Sequence, residues 1–222
     1  MADLFVASRS KLKRARQFIK ELESTLSDYM ANDPVSARGD LERGAVRLDW
    51  KGTGDQPGTI VGDAIHNLRS ALDLMASELA RLRDKSDKDV YFPFSDSPDT
   101  FEDAIKRRRF DKAGEDAVAL LRSFAPYRGG NEQLRAIHDL DIQDKHSALI
   151  LTGRSMEVHV TGQYEAGKFA AGVFVATAEK VDFIFPEGGP FGGQNTVETL
   201  KELVELVDGI LEAFARLVAA RA

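Results

Sequence analysis

TIVGDAIHNLRSALDLMASELARL, residues Thr59 to Leu82, is the longest clean helical pattern before the C-terminal segment. At 3.6 residues per turn, Val61, Ala64, Ile65, Leu68, Ala71, Leu72, Met75, Leu79 and Leu82 fall in one apolar stripe about 120° wide, which must face a core. The opposite side carries Gly62, Asp63, His66, Asn67, Ser70, Asp73 and Ser77, with Arg69 at its edge. A water-facing stripe normally carries Lys, Glu and Arg, which are better helix formers than Gly, Ser and Asn. Small polar residues point instead to a close neighbour: another helix, a second subunit or a ligand. The plainer alternative is a solvated face with no role.

Upstream, Ser8 to Ala31 reads as a first helix with Leu12, Ala15, Phe18, Ile19, Leu22, Leu26 and Met30 at helical spacing. Its first half holds Lys11, Lys13, Arg14 and Arg16, whose charge opposes the helix macrodipole unless an acidic neighbour or an anion compensates; Glu21, Glu23 and Asp28 downstream are the nearest acids in sequence. Between Val35 and Pro57 the helical period disappears, and Ala45 to Trp50 alternates as a strand does.

Downstream come an aromatic patch, Val90 to Phe94, expected to plug one end of the bundle, a short helix from Pro98 to Arg108, and a helix from Lys112 to Phe124. Lys106 to Arg109 form a second basic cluster, and Arg128-Gly129-Gly130 is a turn. Asn131 to Leu151 then reads as a helix with Leu134, Ile137, Asp141, Lys145, Ala148 and Leu149 on one side. His138 lies beside Asp141 and Lys145, and Asp144 lies on the flank. Asp141 precedes Lys145 by four residues, the favourable order for an ion pair, and a charged pair on a core-facing stripe survives only when well matched. Met156–Val160, Phe169–Thr177 and Lys180–Phe185 predict a three-stranded antiparallel meander over about residues 153–186, joined by the strand near Trp50 into at most four strands. The loop GGPFGGQN (188–195) ends at a helix cap, and Thr196 to Ala220 predicts a long C-terminal helix.

The expected architecture is therefore α+β: one domain over residues 1–222, a bundle of four to five main helices with a small antiparallel sheet of three to four strands inserted before the last. The 222-residue chain is 43% hydrophobic and 30% charged, with a formal charge of -6, ordinary values for a globular protein and unsuited to coating nucleic acid by bulk electrostatics. The absence of cysteine excludes disulfides, thiolate metal sites and cysteine nucleophiles. The start of the chain has a short apolar patch before its basic run, the reverse of a secretory signal, and no stretch reaches the roughly 18 apolar residues of a spanning helix. A cytoplasmic protein with no membrane partner is expected.

The candidate site joins two helices. His66, Asn67, Arg69 and Asp73 on one, with His138, Asp141, Asp144, Lys145 and His146 on the other, converge into a polar pocket if those helices pack side by side. Such a pocket offers an acid or base and a cation for an oxyanion or phosphate; the structural alternative is a network that fixes helix register. No metal or cofactor is expected, because the Glu-x-x-His di-iron pattern and the G-x-S-x-G, G-x-G-x-x-G and Walker sequences do not occur.

The segment GDAIHNLRSALDLMASEL resembles the G-D-x-x-H-N-L-R-S-A-L-D-H-L motif of a family of uncharacterised bacterial proteins, and LRAIHDLDIQDKHSALI resembles that family's second motif, L-x-x-L-x-x-x-D-K-H-R. Leu74 and Ser147 depart from the family's His and Arg. The resemblance implies kinship without an activity. The helical part also resembles, more remotely, the HEPN domains, helical bundles that often dimerise and whose active members cut RNA without metal. Their Arg-to-His spacing occurs here only from Arg154 to His159, in an expected strand. The function expected first is a binding or assembly module, a homodimer that uses the polar pocket for a subunit partner or a small anionic ligand. The alternative is a HEPN-like, metal-independent RNase acting in stress or defence, with RNA as partner.

Overall fold

A computed structural model describes residues 4–32, 34–40, 45–146, 152–161, 164–165, 168–169 and 175–221. The chain is mainly helical. Helix α1 (Val6–Ala31) buries Leu12, Ala15, Ile19, Leu22 and Leu26 at the predicted spacing. It lies along α2 (Gln56–Arg81), the most extensive helix–helix contact in the molecule. Helix α2 begins three residues before the predicted Thr59 because Pro57 sits in its first turn, where a missing N–H costs nothing. Helix α3 (Phe101–Arg107), a single 3-10 turn (Phe110–Ala113) and α4 (Glu115–Phe124) follow, then α5 (Glu132–His146) and α6 (Thr196–Ala219). Asn195 caps α6, its side chain accepting the Glu198 N–H at 3.1 Å. Among the described residues, no helix is long and apolar enough to cross a membrane.

Leu68, Leu72, Met75 and Leu79 of α2 are fully buried in one contiguous core with Leu22 of α1, Leu140 of α5 and Phe214 of α6. Phe92, Phe94 and Phe110 close one end of that core, Phe92 meeting the other two rings at 5.1 and 6.3 Å. Main-chain conformation at the start of α1 is unusual. Phe5 is completely buried in the left-handed region (φ 60°), and its N–H donates to Glu78 of α2 at 2.9 Å.

The strands correct the sequence reading. Among the described residues they pair two by two in place of a single sheet of three or four strands: β1 (Val35–Asp40) with β2 (Ala45–Trp50), β3 (Thr152–Thr161) with β6 (Val175–Ile184), and the two-residue β4 (Tyr164–Glu165) with β5 (Lys168–Phe169), all antiparallel. The expected middle strand Phe169–Thr177 is divided between β5 and the start of β6, and residues 170–174 lie outside the described set. Between β3 and β6 in sequence the short β4 pairs with β5, and β3 runs directly against β6. Strand β1 went unpredicted because Arg38-Gly39-Asp40 carries no apolar alternation.

Within the basic start of α1, Arg16 is paired with acids of α6, as is Arg9 about two turns earlier. Arg16 contacts Asp208 at 2.8 Å and Glu205 at 3.4 Å, and Arg9 contacts Glu212 at 2.8 Å. These exposed pairs set the edge at which α1 and α6 meet and add little stability individually. The core carries the fold. Leu68→Ala should destabilise the protein by about 2–5 kcal/mol in urea denaturation, since the side chain is fully enclosed.

Candidate functional site

Helices α2 and α5 touch along the polar face of α2. Gly62 is buried, and a Cβ placed there would lie 2.1 Å from Oδ1 and 2.4 Å from Cγ of Asp144. Only glycine lets the Asp144 carboxylate lie against this turn of α2. One turn further along, His66 meets Asp141; another turn on, Arg69 acts on His138. Rising numbers on α2 meet falling numbers on α5, so the two helices run antiparallel with a polar seam between them. The close neighbour expected from the small polar stripe is α5.

Asp141 is the centre of the seam. Its side chain is 6% exposed, and its two oxygens are taken by different partners: Nδ1 of His66 at 2.9 Å and Nζ of Lys145 at 2.6 Å. Burial pushes its pKa up, but hydrogen bonds from Lys145 and His66 outweigh this and hold it below the ordinary carboxylate value. The buried group is therefore an anion with both acceptors satisfied. Its partners reach water, with His66 50% and Lys145 55% exposed. The second ring nitrogen of His66, Nε2, faces the Ser70 hydroxyl at 3.4 Å. With Nδ1 donating to Asp141, Nε2 of a neutral ring is an acceptor, the arrangement of a general base. Asp144, against Gly62, has its pKa raised by burial and by the nearby charges of Asp63 and Asp141.

A second cluster lies deeper. Arg69 is buried, donates to Asp73 at 2.5 Å and to the Phe92 carbonyl at 3.3 Å, and stacks its guanidinium 4.6 Å from the centre of the Phe94 ring. Asp73 also accepts the Phe92 N–H at 2.9 Å, and burial raises its pKa against the pull of Arg69. His138 stacks flat on Phe94, ring centres 4.9 Å apart, instead of joining the Asp141 hydrogen bonds as expected from its place on α5. Burial and the charges of Arg69, Arg135 and Arg108 lower its pKa to about 4, so the ring is neutral. Its Nδ1 is enclosed without a hydrogen-bond partner.

The nine predicted residues thus divide. His66, Asp141, Asp144 and Lys145 gather at one end of the seam, while Arg69, Asp73 and His138 form the inner cluster. Asn67 turns back on its own helix, donating to the Asp63 carbonyl at 2.8 Å. His146 ends α5, and its side chain lies outside the described residues. Three contributors were missed as site residues. Asp63 and Ser70 were read only as part of the polar face, and Phe94 only as an end plug. A network on the outer side of α5 was missed too: Arg135, 7% exposed, pairs with Asp139 at 2.8 Å and Asp96 at 2.9 Å, and Arg128 pairs with Asp139 at 2.9 Å. The i, i+4 spacing of Arg135 and Asp139 was its available signal. Among the described residues no group of three or more His, Cys, Asp or Glu is placed to hold a metal ion. Comparison with models of protein families, with curated proteins and with solved structures yields no match to this chain.

Two outcomes test the seam. Gly62→Ala should destabilise the wild-type protein, yet stabilise an Asp144→Ala background by up to about 1 kcal/mol through helix propensity, as read from a double-mutant cycle of unfolding free energies. The low pKa of His138 means the unfolded chain takes up a proton before the folded one does. Its contribution is fully present above about pH 6.5, the ordinary histidine value, and is lost as the pH falls toward about 4. Acidification across that window should therefore cost the wild type on the order of 1 kcal/mol more than His138→Gln, discounted for partial exposure, in denaturation measured at intervals of pH.

Proposed function

We propose that the chain is a cytoplasmic binding and assembly module whose working surface is the exposed rim of the α2–α5 seam, with a second copy of the chain as its first partner. One observation carries this reading. Around the buried Asp141, the rim sets an acidic edge, Asp63 and the half-buried Asp144, beside a basic edge, His66 and Lys145. A patch carrying both signs side by side is self-complementary under a two-fold axis, the condition an isologous dimer requires. The same balance disfavours a free anion, because Asp63 and Asp144 repel it where His66 and Lys145 would attract it. Burial of Asp141 between two helices gives the rim a fixed shape, which lowers the ordering cost of association.

Sedimentation at micromolar concentration should give a dimer, and Asp63→Lys, a charge reversal at an exposed position, should weaken it at least tenfold with the melting temperature unchanged. A wild-type monomer, or a dimer indifferent to that change, overturns the proposal.

The second reading, metal-independent cleavage of RNA, draws its support from His66 Nε2. A ribose 2′-hydroxyl in place of the Ser70 hydroxyl would give its proton to this nitrogen, while Asp141 stabilises the resulting imidazolium. The HEPN-type spacing gives no further support, since Arg154 and His159 lie within strand β3. Cleavage in the presence of a chelator that disappears in His66→Ala would favour this reading; intact RNA at high protein concentration counts against it.

A further inference from the structure

Several helical hydroxyls of this protein return to the main chain. Thr59 and Thr199 donate to carbonyls four residues back, at 3.3 and 2.7 Å, and Ser123 donates to the Leu120 carbonyl at 2.6 Å. Ser77, on the polar face of α2, donates to the Val90 carbonyl at 2.9 Å. Ser70, on that same face, behaves differently. Its Oγ meets a ring nitrogen, Nε2 of His66, at 3.4 Å.

Asp141 fixes the direction of that contact. Its two oxygens are taken by Nδ1 of His66 at 2.9 Å and Nζ of Lys145 at 2.6 Å. An ionised carboxylate only accepts, so a neutral ring carries its proton on Nδ1 and leaves Nε2 as the acceptor. The hydrogen between Ser70 and His66 therefore comes from Ser70. Hydroxyl, imidazole and buried carboxylate stand in series, as the nucleophile, base and orienting group of acyl transfer do. A spacing of 3.4 Å is loose, as such contacts often are before a substrate tightens them.

The series is closed at one end and open at the other. Asp141 is 6% exposed, whereas His66 is 50% exposed and Ser70 partly so. Lys145 occupies the second carboxylate oxygen, which keeps Asp141 an anion and leaves the first oxygen to orient the imidazole.

We propose that Ser70 is a nucleophile toward small carboxylic esters, with His66 as its general base and Asp141 and Lys145 as positioning residues. Ser70 Oγ bonds to the acyl carbon while its proton passes to Nε2 of His66. The ester C–O bond then breaks, and the departing alkoxide takes that proton and leaves as an alcohol. Water adds to the acyl-serine through the same base, the acyl–Oγ bond breaks, and the carboxylic acid leaves with Ser70 restored. Main-chain N–H groups at this turn are engaged within α2, so the strong oxyanion stabilisation that an amide demands is not built in. Esters, with their better leaving groups, fit the site. Leu74, one turn further and partly exposed, gives a short acyl chain an apolar contact.

The experiment treats the full chain with a fluorophosphonate probe at nanomolar concentration, so that association through the rim neither completes nor hides the site. Phosphorus bonds to an activated serine Oγ, fluoride leaves, and the proton goes to the base. Mass spectrometry should place the adduct on Ser70 and not on Ser77, which shares its tryptic peptide. His66→Gln should slow labelling at least a hundredfold with the melting temperature unchanged. Ser70→Ala, which favours the helix, should lower hydrolysis of 4-nitrophenyl acetate at least tenfold. Asp141→Asn should lower kcat at least tenfold with KM unchanged, whereas a purely structural carboxylate would move the melting temperature alone. No adduct on Ser70, equal adducts on Ser70 and Ser77, undiminished labelling in His66→Gln, undiminished hydrolysis in Ser70→Ala, or an unaltered kcat in Asp141→Asn overturns the proposal. The RNA reading shares His66 but assigns no role to the Ser70 hydroxyl, and the dimer is tested at Asp63, so each reading can fail alone.

Discussion

The burial of one ionised carboxylate, Asp141, is the constraint on which the arrangement of α2 against α5 depends. An unpaired charge in that position would cost several kcal/mol, so the two helices are obliged to place a donor on each oxygen. Lys145 comes from the same helix one turn away, and needs no tertiary contact. His66 comes from α2, and this bond is what converts a local ion pair into a tie between helices. The absence of a side chain at Gly62 allows the helices to approach closely enough for that bond to form. Close approach and charge satisfaction therefore depend on each other.

The tie is strong where it is hidden and open where it meets water. Asp141 is fixed, while His66 and Lys145 are each about half exposed, and this asymmetry distinguishes the seam from a purely internal network. The inner cluster of Arg69, Asp73 and Phe94 lacks it. There, a guanidinium is spent on a carboxylate, a carbonyl and an aromatic face, and the stacked His138 is kept neutral. That cluster holds the end plug in place; the outer one is open to water.

Much of this was legible in the chain. The 3.6-residue period located α1, α2 and α6 to within a few residues and the start of α5 to within one, because each has a core-facing stripe that recurs through several turns; the predicted continuation of α5 to Leu151, with Ala148 and Leu149, lies outside the described residues. The weak helix formers on the back of α2 gave notice of a close neighbour, and the four-residue spacing of Asp141 and Lys145 gave notice of an ion pair. The partner of His66 was not legible beyond its class, since nothing local sets the register between two helices seventy-five residues apart. Strand pairing was read less well: alternation marks a strand but does not say which one lies beside it, and Phe169 pairs within a two-residue hairpin while Val175 onward pairs with β3. The Arg128, Arg135 and Asp139 network escaped notice because it is assembled from a turn and a helix.

The edge between α1 and α6 has a different physical character, with a consequence for how the molecule responds to its medium. Arg9, Arg16, Glu205, Asp208 and Glu212 sit in water, between 29% and 75% exposed. Their attraction fades as the Debye length shrinks, from roughly 30 Å at 0.01 M to about 3 Å at 1 M ionic strength. Asp141 itself is 6% exposed, and a charge enclosed by protein is screened much less by dissolved ions. Concentrated salt thus acts selectively: it loosens the flank formed by the first and last helices while leaving the central pair engaged. One molecule carries two kinds of fastening, and ionic strength addresses only one of them.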